Sequence, residues 1–411
     1  MRWWAAANAV SNIGTWMQLI AQNLLVLELT GSVAMTGLSL SAQAAPGLLF
    51  GMIGGAVVDK WPHRLVAGAG QIGLAVVAFA TAALAALGML SVPLLLMLGA
   101  VSGLIATMDG PASSLLGNAL VPEDEVPSAI ALGSIVSSVG RLVGTAMAGA
   151  TVALVGIPAA YLANGLSFLA VAGCLPFLRE APRTPSDPDV AVAPAGAATD
   201  AGGILAALHY LLAHRSLVPL LAVGAIAGVL GRNYSMSLAA LVTGPLEGGP
   251  GAYGAVGVAL AVGGIGGALL AGRLDRPRTG VVLAAAAAAA VLQVLAGLSP
   301  LLLVLVVLAV PMAAAEAAAE TATASMLQTV PPERMRGRVL GAWRTASTGW
   351  GLAGPPALGL LLEAAGVRAG LVIGGVVVLV AIAAIAVLRP DGTPLRTRLA
   401  ALLRRPEPAY G

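Results

Sequence analysis

Residues 55–64 read GAVVDKWPHR and join two long apolar runs, and residues 271–278, AGRLDRPR, repeat that pattern in the second half of the chain. Asp59 and Asp275 are 216 residues apart. Two further motifs recur at an offset of about 210: LVPE at 120–123 returns as TVPPE at 329–333, and Gly144 with Gly149 returns as Gly354 with Gly359. Three repeats at nearly one offset predict a duplicated unit whose two copies have parallel orientation.

The composition places most of the chain in lipid. Its 411 residues are 58% hydrophobic and 9% charged, with a mean hydropathy of +0.94. An ordinary soluble domain carries about 25% charged residues, which keep its surface solvated. A soluble globular protein is therefore excluded, and a multi-pass membrane protein is expected.

Apolar runs of about 20 residues predict membrane-spanning helices, because a helix rising 1.5 Å per residue needs that length to cross the hydrocarbon. Twelve such runs are present, at Trp3–Leu29, Thr36–Val58, Leu65–Leu87, Val92–Leu116, Ser128–Val155, Pro158–Leu178, Leu217–Val242, Tyr253–Gly272, Gly280–Leu298, Leu301–Leu327, Val339–Leu362 and Ala369–Leu388. We therefore expect an all-α membrane protein of twelve transmembrane helices, arranged as two pseudo-symmetric six-helix bundles. The bundles comprise residues 1–178 and 215–388, with a Pro- and Ala-rich linker at 179–214 and a tail at 389–411.

The basic residues predict the orientation. With the N-terminus in the cytoplasm, 17 of the 21 Lys and Arg residues fall in cytoplasmic segments; the exceptions are Arg141, Arg232, Arg344 and Arg368. Lys and Arg concentrate in cytoplasmic loops of membrane proteins. We therefore expect a protein of the cell membrane with both termini cytoplasmic, and basic residues of the tail in contact with membrane lipid.

Several classes of function are disfavoured by what the chain lacks. A net charge of +3 with one lysine gives no basic patch for nucleic acid. One cysteine and three histidines without ligand spacing predict no metal and no cofactor. We find no nucleotide-binding loop and no nucleophile with a base, so we do not expect an enzyme.

The first apolar run carries a polar stripe. On a helical wheel its strongest polar groups fall within one half, and they are Asn8, Ser11, Asn12, Thr15, Trp16, Gln18, Gln22 and Asn23. Amides and hydroxyls in hydrocarbon are costly unless satisfied, so the stripe must face a wet cavity or other helices. We predict that Asn8, Asn12, Trp16, Gln22 and Asn23 line a substrate cavity; the alternative for any one of them is an interhelical hydrogen bond.

Apart from Glu28 at the end of the first run, six charged residues lie within the predicted spans. A charge in hydrocarbon is costly, so each of them is a candidate functional residue. The seventh run holds Arg232-Asn233-Tyr234, which we also assign to the cavity, and the tenth holds Glu316 and Glu320 on one helical face. The helical rise puts Arg232 and Glu316 at similar depths, roughly 22 Å in, so they are expected to pair.

The same depth arithmetic pairs Asp109 with Arg141, and Glu320 with Arg344 if that arginine extends inward. Glu316 and Glu320 are two carboxylates beside an arginine, an arrangement that suits proton coupling, so both are candidates for it. Asp109, as an intramembrane acid expected to pair with an arginine, is the third candidate. The alternative is that these charge pairs are only structural.

The whole chain resembles the major facilitator superfamily, and within it the drug:proton antiporter branch that includes macrolide and enterobactin exporters. The matching motifs are Ser11-Asn12-Ile-Gly14-Thr-Trp16-Met-Gln18 with the segment Leu27–Ser32, the loop signature Gly55, Asp59, Lys60 and Arg64, and Arg336-Gly337-Arg338. The resemblance implies alternating access, with helices 1, 4, 7 and 10 around a central cavity and helices 3, 6, 9 and 12 outermost.

Two more assignments follow from this resemblance. Gly55, Asp59 and Arg64 would form a conformational latch, in which Asp59 sits at the positive N-terminal end of helix 11; the alternative is a solvated charged turn. Gly140, Gly144 and Gly149 in the fifth run are similar to the antiporter motif, although Thr145 stands where that motif has proline. The arginine motif of many drug antiporters is missing from the fourth run.

We therefore predict a monomeric secondary transporter that exports an amphipathic small molecule, in exchange for protons. The alternatives are a lipid or metabolite carrier without proton coupling, and a receptor or scaffold that does not transport.

Overall fold

The computed structural model describes residues 2–122, 125–178, 210–212, 214, 217–273 and 278–388. Most of the predicted linker at 179–214 and the whole tail at 389–411 lie outside the described residues, as do Asp275 and its neighbours. The bundle boundaries named above therefore stay a prediction.

The described residues fold into helices that match the twelve apolar runs. The first half contains α1 (Arg2–Thr30), α2 (Val33–Lys60), α3 (His63–Ala86), α4 (Val92–Ala119), α5 (Val126–Leu154) and α6 (Ile157–Cys174), which a 3₁₀ turn (Leu175–Phe177) follows. The second half contains α7a (Val218–Leu230), α7b (Tyr234–Thr243), α8 (Pro250–Gly272), α9 (Thr279–Gly297), α10 (Leu302–Thr329), α11 (Glu333–Ala365) and α12 (Val367–Leu388).

Nine spans in the described part of the chain are long and apolar enough to cross a membrane, counting α7a and α7b as one. The helices outside that set are α1, α5 and α11. In α1 the polar stripe explains the shortfall, because its amides lower the mean hydropathy of the helix.

Helix packing shows the internal duplication. In the first half α1 packs against α5 and α6, α2 against α4, and α3 against α4 and α6. The second half repeats these pairs as α7a with α11 and α12, α8 with α10, and α9 with α10 and α12. Close approach of the paired helices depends on glycine: the backbone of α2 lies against Gly103 of α4, and the backbone of α10 lies against Gly267 of α8.

The halves meet mainly through α2 with α11 and through α5 with α8. These contacts lie toward the face that carries the connections at 31–32, 155–156 and 366, which we call the closed face. A Cβ on Gly149 of α5 would lie 2.6 Å from the Cα of Gly254 of α8, so the two backbones touch there. Ser41 Oγ of α2 donates to the carbonyl of Leu352 of α11 at 2.5 Å.

The opposite face, which carries the start of α1 and the end of α12, is called the open face. Near it, Gly55 of α2 and Gly337 of α11 have no neighbouring atom within 4 Å of where a Cβ would lie. The buried apolar side chains show the same difference between the two faces. At the closed face one cluster spans both halves and includes Leu24 and Leu358. Toward the open face each half has a separate cluster. The halves are therefore joined at the closed face and separated at the open face.

Candidate functional site: a polar cavity and a charge cluster

A cavity of about 1030 Å³ extends inward from the open face along the first half. It reaches from Trp4 of α1 and Asn118 of α4 to Gln22 at mid-helix. Much of the polar stripe of α1 lies on its wall, namely Asn8, Ser11, Asn12, Thr15, Trp16, Gln18 and Gln22. The stripe thus faces the cavity rather than lipid, as its cost in hydrocarbon requires.

Several amides of the stripe are held in place by hydrogen bonds. Gln22 Nε2 donates to Ser39 Oγ of α2 at 2.8 Å, and Asn164 Nδ2 of α6 donates to Gln18 Oε1 at 2.7 Å. The side chain of Asn12 donates to the carbonyl of Asn8 at 3.0 Å, and Asn8 does the same one turn earlier. Ordered amides on a cavity wall offer fixed hydrogen-bonding positions to a ligand.

Asn23 and Asn233 do not line the large cavity, which corrects the assignment made from sequence, and both bind backbone carbonyls instead. Asn23 is 1% exposed, and its Nδ2 donates across the halves to the carbonyl of Ser235 at 3.3 Å. Asn233 Nδ2 lies 3.4 Å from the carbonyls of Gly228 and Val229. Asn23 therefore joins the halves, and Asn233 satisfies carbonyls that the break between α7a and α7b leaves free.

That break positions the charge cluster, which consists of Arg232, Glu316 and Glu320. Helix α7a ends at Leu230 and α7b begins at Tyr234, so Arg232 lies in a non-helical link. Its Nη1 is 3.1 Å from Glu320 Oε1, and its Nε is 3.9 Å from Glu316 Oε1. Broken helices are tolerated at membrane depth where they line a cavity, and they are common at transporter binding sites.

The charge cluster lines a second cavity, of about 310 Å³, between the halves. Tyr234 lies on its wall with the cluster, and the first half contributes Trp16 and Arg141. The guanidinium carbon of Arg141 is 5.9 Å from the centre of the Trp16 ring, within cation–π range. Both halves therefore supply charged or aromatic groups to one site.

Two predicted ion pairs are wrong. Glu320 pairs with Arg232 and not with Arg344, whose side chain is exposed on α11. Asp109 accepts from Gln71 Nε2 at 2.9 Å and lies 3.4 Å from Ser113 Oγ, far from any pairing with Arg141. The helical rise gives a depth along the membrane normal but not a direction around the helix: α4 turns Asp109 toward α3, and α5 turns Arg141 toward α1 and α8.

The glycines of α5 make close contacts with both halves. Gly140 lies against Asn12 of α1, Gly144 against Ile13 and Trp16, and Gly149 against Gly254 of α8. Glycine removes the side chain that would separate these backbones. The antiporter-like motif therefore lies where α5 connects the polar stripe to the second half.

The loop signature at the open face is not engaged in this conformation. Asp59 is exposed near the end of α2, with no ion-pair partner among the described residues. Arg64 donates to the carbonyl of Leu178 within its own half. Because the halves are separated at the open face, Asp59 does not contact the start of α11, and the predicted latch is not formed in this conformation.

At the closed face, Glu363 occupies the reciprocal position, which sequence reasoning missed. It lies near the end of α11, and its Oε1 accepts from Ser32 Oγ and from the backbone N–H of Ala34 at 3.3 Å. Both donors belong to the positive N-terminus of α2. The available signal was the position of Glu363 three residues before Gly366, where α11 ends.

Within the described residues no three His, Cys, Asp or Glu side chains gather in a way that could hold a metal ion. The arrangement instead offers a large polar cavity open to one face, and a charge cluster at the boundary between two similar halves. Such an arrangement can bind a solute and expose it to one side of a membrane.

A family model described as transmembrane secretion effector, of the major facilitator superfamily, matches residues 1–398. The chain belongs to this family. It is therefore a multi-pass membrane transporter and not an enzyme. A search of curated proteins finds no match.

Solved transporter structures share the fold of this transporter at low sequence identity. A bacterial homologue of the human lysosomal transporter Spinster, in an inward-facing and occupied conformation, matches with a TM-score of 0.72 and 16% identity over 94% of this chain and 95% of that one. The nucleoside transporter NupG matches with a TM-score of 0.70 and 12% identity, over 94% and 98%. The inward-open xylose transporter XylE from E. coli matches with a TM-score of 0.68 and 14% identity, over 97% and 98%.

Proposed function

We propose that this transporter exports an amphipathic small molecule, drug-, antibiotic- or siderophore-like, by alternating access coupled to proton antiport. The observation that carries the proposal is the charge cluster between two halves that are joined at one face and separated at the other. The distribution of Lys and Arg supports a cytoplasmic open face, so the conformation is inward-open. The family description, with its reference to secretion, supports export.

Proton coupling follows from the charge balance of the cluster. Arg232 lies beside two carboxylates and can balance one of them. Glu320 lies closer to Arg232 and its side chain is 54% exposed, so the unbalanced carboxylate is Glu316, whose side chain is 20% exposed. An unbalanced charge that is largely shielded from water is costly, so it favours either a bound proton or the approach of another cation. Arg141 is the available cation, and it belongs to the other half. Relative motion of the halves therefore changes the electrostatic cost of holding the proton.

Alternation follows from the antiparallel pairing of α2 with α11. Each helix carries an acid near its C-terminal end, Asp59 on α2 and Glu363 on α11. Glu363 contacts the N-terminal end of α2, and Asp59 lies at the open face, where α11 begins. Glu363 is engaged while the closed face is shut. Asp59 is free while the open face is open. We propose that transport exchanges one of these contacts for the other.

Replacing Glu363 with Gln is expected to increase the population in which the closed face is open, and Asp59→Asn is expected to decrease it. Charge–dipole contacts at exposed sites are worth about 0.3 to 1 kcal/mol, so each population ratio should change by about two- to fivefold. The measurement is the distance between two spin labels, attached to cysteines that replace Leu87 and Leu301 in a Cys174→Ala background. Both positions are exposed near the closed face, on opposite halves, so the distance increases when that face opens.

The matched control is Glu28→Gln, an exposed acid of α1 near the same face. It is expected to leave the distance distribution unchanged. If Glu363→Gln and Asp59→Asn shifted the distance distribution equally and in the same direction, the two acids would not stabilise opposite conformations, and the proposal would be contradicted.

Transport in proteoliposomes tests the function itself. Labelled erythromycin and an iron-free catecholate siderophore serve as probes, with a pH gradient imposed across the membrane. We expect accumulation of a probe only while the gradient persists, and its collapse with a protonophore. Probe uptake that is the same with and without the pH gradient would favour an uncoupled carrier of lipids or metabolites. Binding of a probe without its transport across the membrane would favour a receptor or scaffold.

A further inference from the structure

The wall of the large cavity carries a single charged group. Among the described residues that line it, Asp109 is the one charged residue. The rest of the wall is neutral, with amides and hydroxyls such as Asn8, Asn12 and Ser137 and the aromatic rings of Trp4 and Phe168. Arg141 and Arg232 line the smaller cavity instead. A ligand in the large cavity therefore meets a single negative group.

The carboxylate of Asp109 receives few hydrogen bonds. It receives one N–H from Gln71, at 2.9 Å, and a long contact from Ser113, at 3.4 Å. Gln71 is 6% exposed, and its Oε1 has no hydrogen-bond partner. A carboxylate accepts about four hydrogen bonds, and a buried acceptor without a donor is costly. The pair lacks both donors and positive charge.

The site is built by two neighbouring helices. A Cβ on residue 70 of α3 would lie 2.8 Å from Asp109 Cβ, so Gly70 lets α4 bring Asp109 against α3. Gln71 follows directly on α3, and Ser113 lies one turn beyond Asp109 on α4. The acceptors are thus fixed by two packed helices and not by a loop.

We propose that Asp109 and Gln71 form the recognition site for a protonated amine on the transported molecule, so that the substrate is an amphipathic amine. An ammonium group supplies both the positive charge and the N–H donors that the site lacks. A cavity of about 1030 Å³ accommodates a drug-sized body attached to that amine, and its aromatic rings offer apolar surface. This inference rests on the proposed export function, and it assigns Asp109 to substrate binding in place of proton coupling.

Binding of dansylcadaverine to the purified transporter tests the proposal, with N-acetyl dansylcadaverine as a matched neutral probe. Fluorescence titrations in detergent need no gradient, so they are independent of proton coupling. We expect wild type to bind the amine at least tenfold more tightly than the acetylated probe. Asp109→Asn should remove that preference, Asp109→Glu should retain part of it, and Gln71→Met should weaken amine binding severalfold.

The exposed Glu28→Gln serves as a charge-removal control, and it should leave both affinities unchanged. If Asp109→Asn lowers thermal stability, the wild-type preference and the Gln71→Met variant still decide the question. Equal affinity of wild type for the two probes, or an undiminished preference in Asp109→Asn, would overturn the proposal. Such a result would leave proton-coupled export standing, because that rests on Glu316 and Glu320.

Discussion

Replacing Glu316 with Gln is expected to abolish accumulation of substrate driven by a pH gradient, while downhill exchange of labelled for unlabelled substrate continues. The same outcome is expected for Glu320→Gln. Either substitution leaves one carboxylate beside Arg232, so the cluster becomes balanced and no longer requires a proton. Loss of the coupling site removes the driving force, whereas movement of the halves remains possible.

Proteoliposomes measure both activities on one preparation. Accumulation should fall to the level of protein-free liposomes, and exchange should stay within about threefold of wild type, which is less than 1 kcal/mol. Glu28→Gln, which removes an exposed acid outside the cluster, should accumulate substrate normally. Gradient-driven accumulation with wild-type pH dependence in both Glu316→Gln and Glu320→Gln would show that the cluster is structural.

Replacing Gly254 with Leu is expected to abolish transport by preventing closure of the closed face. A Cβ on Gly254 would lie 2.7 Å from the Cα of Gly149 in the other half, which is closer than atoms of neighbouring helices can approach. A leucine side chain therefore forces α5 and α8 apart where the halves meet. Each half keeps its own helix pairs, so we expect a folded protein held with its closed face open.

Gly251→Leu is the matched control, because residue 251 is exposed on the same helix and has no neighbouring atom within 4 Å. Its transport rate should stay within about twofold of wild type. The spin-label pair at Leu87 and Leu301 should show only the long distance in Gly254→Leu. Normal transport by Gly254→Leu would mean that the contact between Gly149 and Gly254 does not close the transporter.

The helices were predictable because the bilayer imposes a length and a composition on each of them. All twelve apolar runs correspond to a helix or to the α7a–α7b pair, with ends that differ by a few residues. The break in the seventh run was not predicted. Its signal is Gly231-Arg232-Asn233, in which glycine weakens the helix and the side chain of Asn233 replaces lost hydrogen bonds.

The parts of the candidate site that depend on helical periodicity along the sequence were predictable. The wheel of α1 identified a polar face, and most of it lines the large cavity. Partners in space were harder, because depth arithmetic leaves the direction around each helix open. Asp109 therefore faces Gln71 and not Arg141, and Glu320 faces Arg232 and not Arg344. Glu363 was missed because its partner, the start of α2, lies more than 300 residues away along the chain.

The most direct test of proton antiport uses a substrate gradient to drive proton movement. Proteoliposomes containing trapped pyranine receive a substrate gradient with no initial pH difference, and the internal pH is followed. Antiport predicts that protons move against the direction of substrate flow, and that this movement disappears in Glu316→Gln while substrate still moves. Substrate flow without any change of internal pH, or protons moving in the same direction as substrate, would contradict the account.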